Sequence, residues 1–361
     1  MQYFKKVILF MVLFIVNVTL TGCVNKREDE TEKVKIPNYS STIVTESNEN
    51  EKKVYNVDNY NLYENGTTDD AAQVLYDKEK SLYIYLVDKD AVGQSAGNEI
   101  IVIDKGVKTK IKDFFSAVDI KLNSSGDKIA YRTFKNDSPA SAQGMKIYDL
   151  KGKKYVKLNS NVLVSGNLYR WLDDHRIIYY GSMENKKNSD KIYIYDLNTS
   201  KEQVYLEDTK GYCIYFTSLG NNLLFLSRMG ESLYLYYYED KNKKFKLLSD
   251  DFGEIYKSLS EEENKTIFFF ANVGEKGTAV YKFTADNYEL KRITYDFPEN
   301  IKISSEMSRD ENGNVYFVGF ESEESSGEIF MYDIHEKSIN IISDHEGNYN
   351  IYGDRSKIRF N

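Results

Sequence analysis

Residues 119–159 read DIKLNSSGDKIAYRTFKNDSPASAQGMKIYDLKGKKYVKLN. Runs of β-branched and aromatic residues alternate with Gly-, Asn- and Asp-bearing turns, the pattern of short strands. The order is strand, glycine turn, strand, long polar loop, strand, Gly-Lys turn, strand: a four-stranded antiparallel meander. The unit recurs. Aligned on the tyrosine of the third strand, it returns at Tyr148, Tyr195, Tyr237, Tyr281 and Tyr332, with steps of 47, 42, 44 and 51 residues, and Ile103 lies 45 residues before the first. Four short strands every 40 to 50 residues or so predict an all-β fold, a β-propeller whose blades stand radially around a channel.

Six complete repeats follow from the pattern, at residues 71–113, 117–159, 166–206, 212–249, 254–293 and 301–343. Strand-like remnants at 54–63 and 349–360 are left over. A ring must pair its last edge, and building one blade from both termini does so. The expectation is one domain over 54–361 with seven blades, the last made of a C-terminal inner strand and N-terminal outer strands. Six blades with spare termini is the alternative.

The N-terminus reads as an address. Lys5 and Lys6 precede an apolar run at 7–16, too short to span a bilayer but suited to the core of a signal peptide. The run meets Leu20-Thr21-Gly22-Cys23. This resembles the bacterial lipobox, which implies a signal peptide over 1–22, a diacylglyceryl anchor on Cys23 and a chain held on the extracytoplasmic face of the cell membrane. Residues 25–53 are rich in Lys, Glu, Ser, Thr and Asn, so 23–53 is expected to be a lipidated cysteine followed by a disordered tether.

A formal net charge of -8 with no basic stripe argues against a nucleic-acid partner. With Cys23 assigned to the anchor, Cys213 in GYCIYF stands alone and reads as a small buried hydrophobe. Trp171, the one tryptophan, is expected to pack between adjacent blades. His175, His335 and His345 are the three histidines, and their places in different turns predict exposed side chains rather than a metal cluster.

The repeat "S-x-x-G-x-x-I-A-Y, polar loop, I-Y-x-x-D-L" stands here as Asn123 to Tyr131 followed by Lys146-Ile147-Tyr148-Asp149-Leu150, with a later version at Ile192-Tyr193-Ile194-Tyr195-Asp196-Leu197. It is similar to the TolB-like family of WD-type propeller repeats. That resemblance implies a binding scaffold of extracytoplasmic proteins. The family's Ser-Pro-Asp-Gly turn is absent, since no turn here carries the proline.

In a meander ring, the loops from second to third strand share one face with those leading into the next blade. Here these are the long loops, and long loops on a rigid frame are the default binding face. Asp88, Asp90, Asp137, Glu184, Asp250, Asp251, Asp296, Glu321 and Glu323 are its candidate residues, and their charge favours a basic partner or cations. Asp88, Asp90 and Glu99, with Gly93, match part of an EF-hand spacing, but Val92 occupies a ligand position and strands flank the loop. A plain polar loop is the leading reading and Ca²⁺ the lesser one, with no other cofactor expected. The Asp310 to Asn314 region is read as a turn between first and second strands. Two functions are carried forward: a lipid-anchored scaffold binding a protein, peptide or cell-wall component without chemistry, and, as alternative, a glycan-directed extracytoplasmic enzyme.

Overall fold

The computed structural model describes residues 32–48, 51–58, 60–68, 71–89, 97–274, 277–321 and 326–357. They form seven antiparallel sheets in a ring. Blade 1 comprises Ala71–Asp77, Leu82–Asp88, Asn98–Asp104 and Val107–Ile111; blade 2 Ser116–Leu122, Lys128–Phe134, Ala142–Asp149 and Lys154–Val156; blade 3 Val162–Trp171, Arg176–Met183, Lys191–Asp196 and Lys201–Leu206. Blade 4 comprises Tyr212–Leu219, Asn222–Met229, Ser232–Glu239 and Lys244–Ser249; blade 5 Phe252–Glu261, Thr266–Val273, Thr278–Thr284 and Glu289–Arg292. Blade 6 has a broken inner edge, Asn300–Ile301 and Ser308–Arg309, then Val315–Phe320, Glu328–Tyr332 and Ile339–Ile341. Blade 7 closes the ring: Tyr349–Gly353 lies innermost, followed outward by Thr42–Ser47, Lys52–Asp58 and Asn61–Thr68. Seven blades, with the last shared between the termini, is the arrangement the repeat spacing predicts.

The hydrophobic core is divided among the seven gaps between blades. Ile267, Phe269 and Ala271 face blade 4, while the alternate Phe268 and Phe270 of the same strand face blade 6. A strand has two faces with period two, and here both are buried. This is why the second strands are nearly unbroken apolar runs. The gap between blades 2 and 3 holds Ala130, Ile147, Tyr169, Trp171 and Tyr179 in the same way. Polar groups tie the gaps near the hub: Trp171 Nε1 donates to the Lys121 carbonyl at 2.9 Å, and Tyr169 OH donates to that of Asp119 at 2.6 Å.

One boundary differs from the sequence reading. The propeller begins well before residue 54, because the second strand of blade 7, Thr42–Ser47, lies within the stretch read as a tether. Its register against the C-terminal strand runs from Thr42↔Gly353 to Glu46↔Tyr349. Ile43 and Val44 are fully buried. Upstream, Tyr76 OH donates to the carbonyls of Ser40 and Ser41, each at 3.0 Å, and Tyr83 OH to that of Pro37 at 2.8 Å. Glu32–Lys33 adds a short strand to the outer edge of blade 1 by pairing with Val107 and Lys108. The polar composition of 32–53 conceals two apolar residues on opposite faces of one strand, Ile43 toward blade 1 and Val44 toward blade 6, which the closing blade requires.

Ile43→Ala tests this boundary. It should destabilise the chain by about 2–5 kcal/mol in denaturant unfolding, comparable to Ile177→Ala in blade 3. An unchanged unfolding midpoint for Ile43→Ala alone would return residues before 54 to the role of a tether.

Candidate functional site

The meander places second-to-third-strand loops and blade-to-blade connections at one face of the disc. Asp88, Asp137, Glu184, Asp250, Asp251, Asp296 and Glu321 are all exposed there, distributed around the rim. Asp90, Glu323 and Cys23 lie outside the described residues. Several of the loops are built rather than slack. Ser189 Oγ accepts from the Met183 amide at 2.9 Å, Ser138 caps the turn Pro139–Ser141, and Gly327 and Gly347 exchange backbone hydrogen bonds of 3.0 and 2.9 Å. Negative charge accumulates where blades 6 and 7 meet: burial, then the neighbouring Glu346 and Glu321, hold the Glu328 carboxyl above its ordinary value.

Of the partial EF-hand spacing, only Asp88 and Glu99 lie within the described residues. Glu99 lies within the third strand of blade 1 and pairs with Lys110 Nζ at 2.6 Å. Among the described residues no group of three or more His, Cys, Asp or Glu side chains is placed to hold a metal. The letters G-x-S-x-G do occur, at Gly93-Gln94-Ser95-Ala96-Gly97. They connect Leu82–Asp88 to Asn98–Asp104, two antiparallel strands, whereas a nucleophile elbow joins a strand to a helix.

Sequence reasoning missed the hub. Inner strands of all seven blades enclose a cavity of about 440 Å³. Lys121, Arg170, Lys257, Glu306 and Arg355 line it, with Tyr256 and Trp171 among the aromatic walls. Lys257 Nζ reaches Glu306 Oε1 at 2.7 Å, from blade 5 to the segment that leads into Ser308–Arg309 of blade 6. Lys121 Nζ donates to the carbonyls of Asn167 and Tyr169 at 2.8 and 2.7 Å and lies over the Tyr169 ring. Arg355, just beyond the last strand, reaches into the same cavity. The available signal was in the first strands of blades 2, 3 and 5, which carry Lys121, Arg170 and Lys257.

The remaining singled-out residues are structural. Cys213 is fully buried, its thiol pushed up to about 12 by burial, and Sγ contacts the Tyr215 carbonyl at 3.4 Å. Asp310 Oδ1 accepts from the amides of Asn312 and Asn314, each at 2.9 Å, which makes the turn expected there. His345 is exposed, as expected, and also joins the ring closure. Its Nε2 lies 2.9 Å from Glu46 Oε1 and 3.1 Å from Tyr349 OH, and Tyr55 OH donates to Glu46 Oε2 at 2.7 Å. Burial raises the Glu46 carboxyl, but the hydrogen bonds from Tyr55 and His345 together hold it below the ordinary 4.5.

A model of the family described as "Prolyl oligopeptidase, N-terminal beta-propeller domain" matches residues 35–294. No functionally curated protein matches the sequence. Among solved structures, the β-propeller domain of the Trilobed protease from Pyrococcus furiosus is 14% identical over 74% of this chain and 81% of its own, with a TM-score of 0.52. An uncharacterised protein of Listeria monocytogenes is 14% identical over 87% of this chain and 94% of its own, at 0.54. TolB from Acinetobacter baumannii is 17% identical over 75% of this chain and 67% of its own, at 0.45. An acylaminoacyl peptidase in complex with a chloromethyl ketone is 16% identical over 74% of this chain, at 0.50, and this chain covers only 45% of that one. The Pyrococcus propeller is described as having an open velcro topology; here the two termini share a blade. At such identities these likenesses concern the fold alone.

The Glu46 cluster has a pH signature. A carboxyl whose folded value is depressed contributes stability that is fully present above its unfolded value and lost as pH falls through the folded one. Between about pH 5 and about pH 3, the wild-type unfolding midpoint should therefore fall more steeply than that of Glu46→Gln. Parallel pH profiles for the two would remove Glu46 from the closure.

Proposed function

Because the chain belongs to the prolyl oligopeptidase N-terminal β-propeller family, we propose that it works as a binding scaffold, anchored by lipid on Cys23 to the extracytoplasmic face of the membrane. It presents its acidic long-loop face to a protein, peptide or cell-wall component that carries positive charge. The observation that supports this most is the rim. Its carboxylates from Asp88 to Glu321 are exposed, while the loops bearing them are pinned by hydrogen bonds to a rigid ring. A preformed surface on which carboxylates outnumber Lys and Arg steers an oppositely charged partner and loses little entropy on binding it.

The early start of the propeller shapes the anchor. With Glu32 already paired to blade 1, the residues between it and Cys23 reach no further than roughly 30 Å even when fully extended. The disc is thus held close to the bilayer by the outer edge of blade 1, rather than standing off on a long flexible stalk.

Two measurements check this function. Cys23→Ala should move the chain from the membrane fraction to the soluble extracytoplasmic fraction; equal membrane retention would remove the lipid anchor. A pull-down from the parent envelope should capture a basic component with the wild type and lose it with Glu184→Lys combined with Asp250→Lys and Asp251→Lys. A partner retained by that triple variant would move the binding face elsewhere.

A further inference from the structure

The hub cavity is lined by more cations than carboxylates, Lys121, Arg170, Lys257 and Arg355 against Asp119, Glu262 and Glu306, within a chain that is acidic as a whole. Among its lining side chains, Asp119 is committed to Arg132, whose Nε and Nη2 donate to Oδ2 at 3.0 and 2.8 Å. Glu262 Oε1 accepts the Gly220 amide at 3.1 Å. Glu262 keeps its charge at the margin of the cavity, and Glu306 is bonded to Lys257 at 2.7 Å with the guanidinium groups of Arg355 and Arg170 lining the same cavity beyond it. Among the described residues the Arg170 guanidinium donates through Nη1 to the backbone carbonyls of Tyr169 at 2.9 Å and Asn167 at 3.4 Å and lies 5.9 and 6.0 Å from the ring centroids of Tyr215 and Phe216, so its Nε and Nη2 donors are left for a ligand.

Two guanidiniums that line one cavity with a single nearby carboxylate between them repel each other. Burial raises the Glu306 carboxyl, but Lys257, Arg355 and Arg170 together hold it below its ordinary value. Yet the groups are not sealed off: Glu306 keeps 30% and Lys257 33% of its side-chain surface open, and Arg355 is exposed to the lumen. An excess of positive charge that is surrounded by protein but reachable from the lumen is a receptor for an anion.

We propose that the central channel is a binding site for a small oxyanion-bearing ligand, a carboxylate or a phosphate, gripped by the forks of Arg170 and Arg355 with Lys257 and Lys121 at its flanks. The planar guanidinium fork matches two oxygens of either group. A cavity of about 440 Å³ lies in the range of small-ligand sites, and Tyr256 and Trp171 supply apolar wall for the rest of the molecule. Arg355 comes from the C-terminal turn, Arg170 from blade 3 and Lys257 from blade 5, so the site exists only when the ring is closed. This site is separate from the rim and does not depend on the partner proposed for it.

Titration calorimetry of the full chain at low ionic strength tests it, using citrate, inorganic phosphate, and one short peptide with either a free or an amidated C-terminus. Wild type should bind at least one of these oxyanions, more weakly as salt is added. Arg170→Gln and Arg355→Gln should each weaken that binding by at least about tenfold, the loss of a charge-assisted hydrogen-bonded contact. Citrate and the free-ended peptide binding better than phosphate identifies a carboxylate ligand; the reverse order identifies a phosphate. Glu306→Gln removes the competing internal anion and should tighten binding several-fold, which keeps the test open should an arginine variant fail to fold. Absence of binding by folded wild type to every probe, or unchanged affinity in both arginine variants, would overturn the site.

Discussion

Everything in this ring depends on one pairing, Thr42–Ser47 against Tyr349–Gly353. A seven-bladed disc is a sheet array with two loose ends, and an unpaired inner edge would expose backbone groups and the apolar faces of blades 1 and 6. Pairing the two termini covers both. Ile43 and Val54 complete the gap to blade 1, while Val44 and Val57 complete the gap to blade 6. The closure is reinforced by polar contacts with long reach along the chain: Thr42 to Ser308, Asp354 to the Lys78 amide, and His345 to Glu46. A chain cut or slipped at this one blade loses two of its seven core segments at once.

The same geometry explains why the hub is polar while the blades are not. Moving outward, neighbouring blades diverge and large side chains such as Phe268, Phe269, Tyr179 and Tyr180 fill the widening gap. At the centre the inner strands have no partner on the channel side, so their backbone groups are met by side chains instead. Gln73 exchanges two bonds with Ile120, Lys121 serves the carbonyls of Asn167 and Tyr169, and Lys302 serves that of Tyr349. Long cationic side chains suit this task because they donate several bonds from a flexible stem. Their accumulation gives the hub more cations than carboxylates inside an acidic protein, with Asp119, Glu262 and Glu306 among them. Fold and electrostatics are in this sense one arrangement: edges that no strand covers are covered by charge.

The sequence was most legible where a local pattern repeats. The limits of the six repeats, the short turns such as Asp310 to Asn314, the buried Cys213 and the interblade place of Trp171 are each dictated by neighbours a few residues away, and the structure places them as expected. It was least legible at residues 32–53. A strand of six residues with polar flanks, Thr42–Ser47, does not differ in composition from a linker until its distant C-terminal partner is known, as in Val44↔Ile351. Even there the separation from Ile43 to Tyr352 is invisible to any local rule.

By itself, then, the sequence determined the architecture: a period of four short strands, two-faced apolar second strands and leftover strands at both ends admit little other than a closed propeller. It also placed the acidic loops on one face, because a meander alternates its connections by necessity. Only the tertiary structure decided where that domain begins, and only it brought Arg170, Lys257, Glu306 and Arg355 to one cavity. The physical reason is the same for both. Ring closure and the hub are made by residues from distant blades, and their meeting is set by the packing of seven gaps, not by any property of the chain around each of them.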